Sequence, residues 1–258
     1  MRSINVSSNE LRALLKRCFE VLSAGNQDYD DLARLVVWLE MNGLPGIDNL
    51  LEAATDIESR TNWPLAFTQS GSKTQQITAD GASLLGFACN VTDMAIAMAA
   101  SDGASRIEIV GCAHALAVIP CVARCGRRNL NAMAIWRDDR SDRLHITSVQ
   151  AGDSLPDYRI VATTADVGLS ENTLVLRCSQ TTDMMDYDIP GTVDDTGNLL
   201  THITAPEFAS RYALSRDEGI AVSADKLHAL SIIADRILVE ATEESRRGAG
   251  EQVGSNTG

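Results

Sequence analysis

Residues 84–137 read LLGFACNVTDMAIAMAASDGASRIEIVGCAHALAVIPCVARCGRRNLNAMAIWR. The spacing of the apolar residues predicts a helix that begins near Thr92, whose hydroxyl caps it, and that ends at Gly103. Alternating branched residues over 106–110 then predict a half-buried strand, which Gly111 ends. A unit of this kind buries its strand in the core and leaves the corner before the next helix free for a ligand.

The second half of this stretch repeats the pattern. A helix is predicted over 117–126, with Pro120 in its first turn, where a missing amide is tolerated. A strand over 132–136 follows, and if it runs parallel to the first strand, the helix is the crossover that joins them. Three arginines lie at the negative end of this helix, where cations are favourable: Arg124, Arg127 and Arg128.

The chain before this unit is predicted to be helical. Ser7 and Glu10 form a capping box that opens a first amphipathic helix, and a second helix follows it. Asp48 is the predicted cap of a third helix. We therefore expect a helical N-terminal part over residues 1–60, followed by a polar segment with a short strand over 75–78.

The chain after this unit is predicted to be mixed. Strands are expected over 144–149, 159–163 and 173–177, and helices over 205–214 and from Ser223 onward. The aspartate-rich segment 183–195 lacks the spacing of a helix-loop-helix calcium site, which favours an acidic surface loop. No repeat or long linker divides the chain, so we predict one interlocked α/β domain over residues 1–242 and a flexible tail over 243–258. A split near Arg137 is the alternative.

Composition limits the partners. The net charge of −13 and the isoelectric point near 4.7 argue against nucleic acid and anionic membrane surfaces, because both require a basic footprint. No apolar run has the length of a membrane span, and residues 1–12 lack the apolar core of a secretion signal, so a cytoplasmic protein is expected. The six cysteines contain no C-x-x-C pair, so no metal site is predicted, although Cys121 and Cys125 have the spacing to share an ion.

His114 lies at the corner between the first strand and the second helix. A single histidine at such a corner fits a structural side chain as well as a catalyst. The segment 111–115 leads into a helix N-terminus, where free amides and the helix dipole favour a negatively charged group such as phosphate. No motif surrounds the remaining histidines, for which core or surface roles are predicted: His145, His202 and His228.

Three segments resemble a known bacterial family. They are NEL at 9–11, VWLEMNGLPG at 37–46 and ESRRGAG at 244–250. Together they look like the family catalogued as domain of unknown function 3726, over nearly the whole chain. This resemblance implies no activity.

A more distant resemblance is to the type 2 malate/L-lactate dehydrogenase-like oxidoreductases. It rests on the glycine and histidine of 111–114, the small-residue helix after them and the A-M-A strand at 132–134. It implies a mixed α/β fold in which N-terminal helices precede a mixed sheet with packed helices. It also implies NAD or NADP as cofactor, a small 2-oxo acid or cyclic imino acid as substrate, and a homodimer.

The same resemblance implies roles for the residues at this corner. His114 is the expected catalytic residue, and the cofactor is expected at Gly111, Ala113, His114 and Ala115. No G-x-G-x-x-G loop occurs in a suitable position, so a Rossmann domain is not predicted.

The sequence departs from the dehydrogenase pattern at one point. In that family, the turn after the second helix carries a serine-histidine-glycine motif whose histidine serves in acid-base chemistry. Here the corresponding segment, 43–48, reads GLPGID. Loss of a general acid typically removes a factor of about 10² to 10⁴ in rate. A dehydrogenase would therefore require His114, Asp48 or another group in its place.

Three hypotheses follow. The first is an NAD(P)-dependent reductase of a small oxo or imino acid, with His114 at the cofactor or the substrate. The second is a catalytically silent relative that binds a metabolite or a protein partner. The third is an enzyme of different chemistry, such as a lyase or a hydrolase, although spacing alone indicates no Ser/His/Asp or Cys/His arrangement.

Overall fold

The computed structural model describes residues 3–22, 28–60, 66–71, 73–137, 143–162, 169–170, 172–182 and 199–236. The acidic segment 183–195 and the tail 243–258 lie outside the described residues, so the predictions for both remain predictions. No helix within the described ranges is both long and apolar enough to cross a bilayer.

The chain opens with a short strand and three helices. These elements are β1 (Ser3–Val6), α1 (Ser8–Leu22), α2 (Tyr29–Met41) and α3 (Gly46–Ser59). The predicted capping box is confirmed, because the Glu10 amide donates to Ser7 Oγ at 3.2 Å and the Ser7 amide donates to Glu10 Oε2 at 2.9 Å. The apolar faces of the three helices are buried against one another.

The predicted cap of α3 is wrong. The helix begins at Gly46, one turn earlier than a cap at Asp48 would allow, and no side chain caps it. Instead, Glu40 Oε1 on α2 accepts a hydrogen bond from the Ile47 amide at 2.7 Å. A β-carbon at Gly46 would lie 2.7 Å from the Val36 carbonyl oxygen, so only glycine lets the two helices approach this closely.

A hairpin and the predicted central unit follow. The elements are β2 (Ala66–Gly71), β3 (Thr74–Thr78), a 3₁₀ turn (Leu84–Gly86), α4 (Ala88–Asp102), β4 (Ala104–Val110), a second 3₁₀ turn (Ala115–Ala117), α5 (Val118–Arg127) and β5 (Asn131–Arg137). The predicted stop at Gly103 is confirmed, because this residue is left-handed with φ 81°. The predicted Thr92 cap is wrong, because α4 begins at Ala88 and the Thr92 hydroxyl donates to the Ala88 carbonyl at 2.6 Å within the helix.

The last part of the chain completes the sheet. Its elements are β6 (Arg143–Val149), β7 (Asp157–Ala162), β8 (Thr173–Ser179), β9 (Leu199–Ile203), α6 (Ala205–Glu218), β10 (Ile220–Ser223) and α7 (Ala224–Asp235). The described strands form an eight-stranded sheet in the order β2-β3-β4-β8-β5-β6-β7-β9 and a separate pair, β1-β10.

The two strands that α5 connects are not hydrogen-bonded to each other. β4 and β5 point the same way, but β8 lies between them and is antiparallel to both. Leu176 at the centre of β8 faces Ile107 on one side and Ala134 on the other. The sheet is therefore mixed, and α5 connects two strands that do not touch.

Both faces of the sheet carry apolar residues. One large cluster joins the N-terminal helices, α4, α5, α7 and the face that includes Ala134 and Trp136. A smaller cluster on the other face contains Ile135, Leu144 and Ile146. The mixed α/β class is confirmed, with N-terminal helices followed by a mixed sheet and packed helices.

Candidate functional site

The corner after β4 has an unusual backbone. Gly111 and His114 both adopt positive φ values, 72° and 54°. The Ala113 amide donates to the Ala82 carbonyl at 3.0 Å, and the Leu84 amide donates to the Ala113 carbonyl at 2.8 Å. These bonds fix the corner against the segment before α4. A non-glycine residue in the left-handed region costs about 1 to 3 kcal/mol and is often associated with function.

The His114 ring contacts two polar side chains. Its Nδ1 lies 3.1 Å from Ser83 Oγ, and its Nε2 lies 3.6 Å from Glu52 Oε2. Ser83 is held in turn, because its amide donates to Asp56 Oδ2 on α3 at 3.1 Å. The imidazole is thus oriented by groups from α3 and from the segment before α4.

The two ring nitrogens of His114 have different surroundings. Ser83 is 1% exposed, so its hydroxyl holds Nδ1 and cannot attack a ligand. The Glu52 side chain is 73% exposed and lies on the Nε2 side. Although Ser83, His114 and Glu52 form a line, the burial of the serine argues against nucleophilic hydrolysis. Nε2 is the ring atom that can exchange a proton with a ligand.

A cavity of about 350 Å³ lies beside the ring. Its lining comes from α3, the corner and the adjoining ends of β5 and β8, and includes Asn49, Glu52, Cys112, Ala113, His114, Ala115, Leu116, Trp136, Arg137, Asn172 and Thr173. Ligand pockets commonly have volumes of about 300 to 1,000 Å³. The imidazole therefore faces a space that fits a small ligand.

Three of the four predicted cofactor residues line this cavity: Ala113, His114 and Ala115. The fourth, Gly111, lies outside the lining, and its positive φ shapes the turn that presents them. The Ala113 amide is already bonded to Ala82. Within the described residues, no acceptor pairs with the amides of Ala115 and Leu116.

Sequence reasoning missed the polar side chains that line the cavity together with His114. Asn49 and Glu52 lie on the face of α3 that also carries Asp56, at spacings of three and four residues. The Asn49 Nδ2 is buried without a hydrogen-bond partner in the described part of the chain. Arg137, at the end of β5, adds a guanidinium. The helical spacing of the polar residues after Asp48 was the available signal.

Asp48, the other candidate acid, is used elsewhere. Its Oδ2 lies 2.7 Å from Lys226 Nζ on α7, and it does not line the cavity at His114. This ion pair joins α3 to the C-terminal helix. Glu52, one turn further along α3, takes the place beside the histidine.

The remaining histidines have structural surroundings. His145 is buried, with Nδ1 2.7 Å from the Tyr158 hydroxyl and its ring stacked 4.8 Å from Trp136. His202 Nε2 lies 2.7 Å from Asp157 Oδ1. His228 is exposed on α7.

The cysteine pair considered for a metal consists of buried thiols. Burial raises the pKa of Cys121 to about 12, so this thiol is protonated at neutral pH and behaves as a small apolar group. Cys125 Sγ lies 3.5 Å from Cys178 Sγ on β8. Both cysteines therefore contribute to the packing of α5 on the sheet.

The sequence comparison identifies a family over part of the chain. Residues 6–91 match the model of the family described as "Protein of unknown function (DUF3726)". The resemblance noted for 9–11 and 37–46 is thereby confirmed, whereas the segment 244–250 lies outside the matched residues. None of the curated proteins matches this sequence.

Solved structures similar to this one are dehydrogenases and a reductase. A dehydrogenase from Sinorhizobium meliloti superposes with a TM-score of 0.69 at 11% identity, covering 90% of this chain and 100% of that one. Malate dehydrogenase from Pyrococcus horikoshii OT3 gives a TM-score of 0.68 at 10% identity, covering 91% and 96%.

The delta1-piperideine-2-carboxylate reductase from Pseudomonas syringae gives a TM-score of 0.59 at 14% identity, covering 89% of this chain and 99% of that one. At such identities the comparison establishes the fold alone. The protein therefore has the fold of the malate/lactate dehydrogenase-like proteins, with residues 6–91 matching the family of unknown function 3726.

Proposed function

We propose that this protein is an NAD(P)-dependent oxidoreductase that reduces a small 2-oxo acid or a cyclic imino acid. The observation that carries the proposal is the His114 ring, which is fixed by Ser83 and faces a cavity that also contains Arg137. This arrangement combines a proton donor with a cation inside one small space. The similar dehydrogenases and the similar reductase share this fold, which supports the proposal.

The cavity suits a small anionic substrate. A guanidinium binds a carboxylate through two parallel hydrogen bonds, so Arg137 is the proposed carboxylate ligand. The Asn49 amide, which lacks a partner within the described residues, can donate to a carbonyl or carboxylate oxygen. A volume of about 350 Å³ leaves room for such a substrate and one planar ring.

His114 is the proposed catalytic acid. Reduction of a carbonyl places negative charge on its oxygen, and reduction of an imine requires a proton on its nitrogen. Nε2 can deliver this proton while Ser83 Oγ holds Nδ1. The Glu52 carboxylate lies 3.6 Å from Nε2, on the side of the ring away from Ser83. Ser83 is accordingly a positioning residue.

The corner residues fit the nicotinamide end of the cofactor, which supplies the hydride when bound. Ala113 and Ala115 have small side chains that let a flat ring approach the backbone. The Ala115 and Leu116 amides point out of the first turn leading into α5 and have no described acceptor. Ala113, His114 and Ala115 are the proposed contacts, and Gly111, which the sequence resemblance also implied, shapes the turn that presents them.

A thermal melt with NADH and with NADPH tests the proposal. A nucleotide at a hundred times its dissociation constant stabilises a fold by about 2.7 kcal/mol, which raises the melting temperature by roughly 5 to 10 °C. We expect such a shift with one or both nucleotides. The absence of a shift with both would exclude the reductase.

His114→Asn tests the catalytic role. Asparagine tolerates the left-handed backbone, so the variant should fold. Loss of the acid should lower kcat on pyruvate-like or cyclic imine substrates by about 10² to 10⁴. His202→Asn is the matched control, because it removes an imidazole outside the cavity, and it should leave kcat unchanged. Equal activity of wild type and His114→Asn would leave His114 with a structural role only.

A catalytically silent relative that binds a metabolite is the second candidate. The turn at 43–46 lacks the motif histidine, and Asp48 is engaged with Lys226. This alternative predicts a nucleotide or oxo-acid shift in the melt without turnover of either substrate class. The proposed homodimer is tested by light scattering at micromolar concentration, where a mass near twice 27.7 kDa is expected.

A further inference from the structure

A second cavity lies along α5. It measures about 870 Å³ and is bounded by α2, α5, α6, Cys89 on α4 and the segment after β6. Guanidinium groups from three helices and the turn after α5 line it: Arg34, Arg124, Arg127, Arg128 and Arg216. The only carboxylate among its described lining residues is Asp31. This concentration of positive charge is unusual in a protein with a net charge of −13.

Three of these arginines are paired with acids beside the cavity. The pairs are Arg124 with Asp93 at 2.6 Å, Arg34 with Asp30 at 2.8 Å and Arg216 with Asp217 at 3.0 Å. They fix the positions of three guanidinium groups and leave only part of their charge available.

The other two arginines lack a carboxylate partner in the described part of the chain. Arg127 donates to the Ser154 carbonyl at 3.2 Å, and Arg128 makes no ion pair there. Burial and then the neighbouring Arg124 cation lower the pKa of Arg127. Two adjacent cations without a carboxylate partner in the described ranges favour an anion between them.

The helix dipole alone does not explain this cluster. Cations at the end of α5 gain about 0.3 to 1 kcal/mol from the dipole, which suffices for exposed arginines there. Arg216 lies in the last turn of α6, where the dipole of that helix applies, and Arg34 lies in the middle of α2, yet both line the same cavity. Guanidinium groups from three helices therefore converge on one space.

The remaining wall is apolar. Leu35, Trp38, Pro120, Leu155 and Tyr212 contribute to it. The Trp38 ring packs against Phe208 with centroids 5.3 Å apart, so its orientation is set by the core. The volume is that of a small-molecule pocket, and a charged rim with an aromatic wall suits a ligand with both a polyanionic and a planar part.

We propose that this cavity binds a small molecule carrying a diphosphate or triphosphate group. Arginine forks match phosphate oxygens bidentately, and guanidinium groups from several elements suit an anion whose charge is spread over more than one phosphoryl group. The aromatic wall then accepts the organic part of the molecule. This cavity and the cavity at His114 share no lining residue, so the proposal does not use the reductase chemistry.

Isothermal titration calorimetry on the full chain tests this proposal. Inorganic phosphate, pyrophosphate, ATP and adenosine are the probes. We expect pyrophosphate and ATP to bind, ATP more tightly, and their affinity to fall as salt is raised. Equal affinity for phosphate and pyrophosphate would overturn the proposal, and so would the absence of binding by both pyrophosphate and ATP.

Charge variants locate the site. Arg127→Gln/Arg128→Gln should weaken ATP binding at least tenfold. Arg17→Gln/Arg236→Gln removes the same charge from ion pairs on α1 and after α7, and should change affinity less than twofold. Arg128→Gln alone is the second variant, in case loss of the Arg127 hydrogen bond to the Ser154 carbonyl impairs folding, and it should weaken binding by a smaller factor. Equal loss in both double variants would mean that net charge alone attracts the nucleotide, which contradicts a built site.

The His114→Asn variant separates the two proposals. ATP affinity should be unchanged in it, whereas NAD(P)H-dependent activity should fall. Loss of ATP binding in His114→Asn would show that the two cavities form one site and would overturn the second proposal.

Discussion

His114 combines a strained backbone with a fixed and partly exposed ring. Its φ of 54° persists because Ala113 is bonded to Ala82 and Leu84 on both sides, so the surrounding structure holds the corner. The side chain is 18% exposed, which leaves one ring nitrogen accessible. A core histidine such as His145 instead lies among aromatic rings. The two environments differ in what the imidazole can reach.

Gly126 provides a prediction at the same scale. A β-carbon there would lie 2.4 Å from the Asp153 carbonyl oxygen and 2.6 Å from Val149 Cγ2, so α5 packs directly on the segment after β6. Gly126→Ala should lower the free energy of unfolding by about 3 kcal/mol, measured by urea denaturation, because a backbone carbonyl cannot move aside like a side chain.

Gly103→Ala is the matched control for that variant. Gly103 has a φ of 81° but no atom within 4 Å of its β-carbon position. Its substitution should cost about 1 kcal/mol from backbone strain alone. Equal losses in the two variants would contradict close packing at Gly126.

At the scale of elements, the junction of α2 and α3 determines where the candidate site lies. Glu40 accepts the Ile47 amide bond in place of a conventional cap, and Gly46 allows the close contact. The resulting direction of α3 points Asn49 and Glu52 at the corner after β4 and Asp48 at α7. An N-terminal cap on α3 itself would not have tied its start to α2.

Glu40 gives a prediction about pH. Burial raises its pKa above the ordinary value of 4.5, although the Ile47 amide opposes this. Above pH 4.5 the folded protein thus keeps a proton that the unfolded chain releases, and the stability contributed by Glu40 falls as pH rises. Glu40→Gln keeps the acceptor for Ile47 and removes the titration. Its stability relative to wild type should therefore improve as the pH rises from 4.5 towards 7, measured by urea denaturation at several pH values.

Glu10→Gln is the control with the opposite sign. Hydrogen bonds from the Ser7 amide and hydroxyl lower the pKa of Glu10, so its carboxylate stabilises the folded state above the ordinary pKa and this contribution is lost as pH falls. Relative to wild type, Glu10→Gln should lose stability as the pH rises towards 4.5 and should then change little between pH 4.5 and 7. The same slope in both variants would contradict the assignment for Glu40.

At the scale of the whole molecule, the first and the last described elements are packed together. β1 pairs with β10, and Cys18 on α1 donates from its thiol to the Leu230 carbonyl on α7 at 3.2 Å. One buried apolar cluster includes Leu11 near the start and Ala234 near the end of the described chain. The single domain over residues 1–242 stays a prediction, with a split near Arg137 as the alternative, and these contacts are the reason to propose it.

The single domain predicts cooperative unfolding. Leu230→Ala, in the last helix, should destabilise the protein by about 2 to 5 kcal/mol through the cavity it leaves. Circular dichroism and tryptophan fluorescence should report one common transition in wild type, and both should shift together in the variant. Separate transitions by the two probes would favour two independently folding parts.

The sequence by itself determined the elements whose signals are local. The Ser7–Glu10 box, the stop at Gly103 and the helix with Pro120 all depend on hydrogen bonds or steric limits within one turn of helix, and each was predicted near its observed place. The short edge strands β1, β2 and β9 were missed because their pairing partners, not their own residues, define them.

Only the tertiary structure decided how distant segments meet. The insertion of β8 between β4 and β5 joins residues some 70 and 40 positions apart in the chain, and no local pattern encodes that choice. The two cavities also depend on tertiary packing. Glu52 and Arg137 line one cavity with His114 only once the helices have packed. Arg34 and Arg216 line the other cavity with the end of α5 for the same reason. Hydrogen bonds within a turn depend on neighbouring residues, whereas burial of a shared core sets which surfaces face each other.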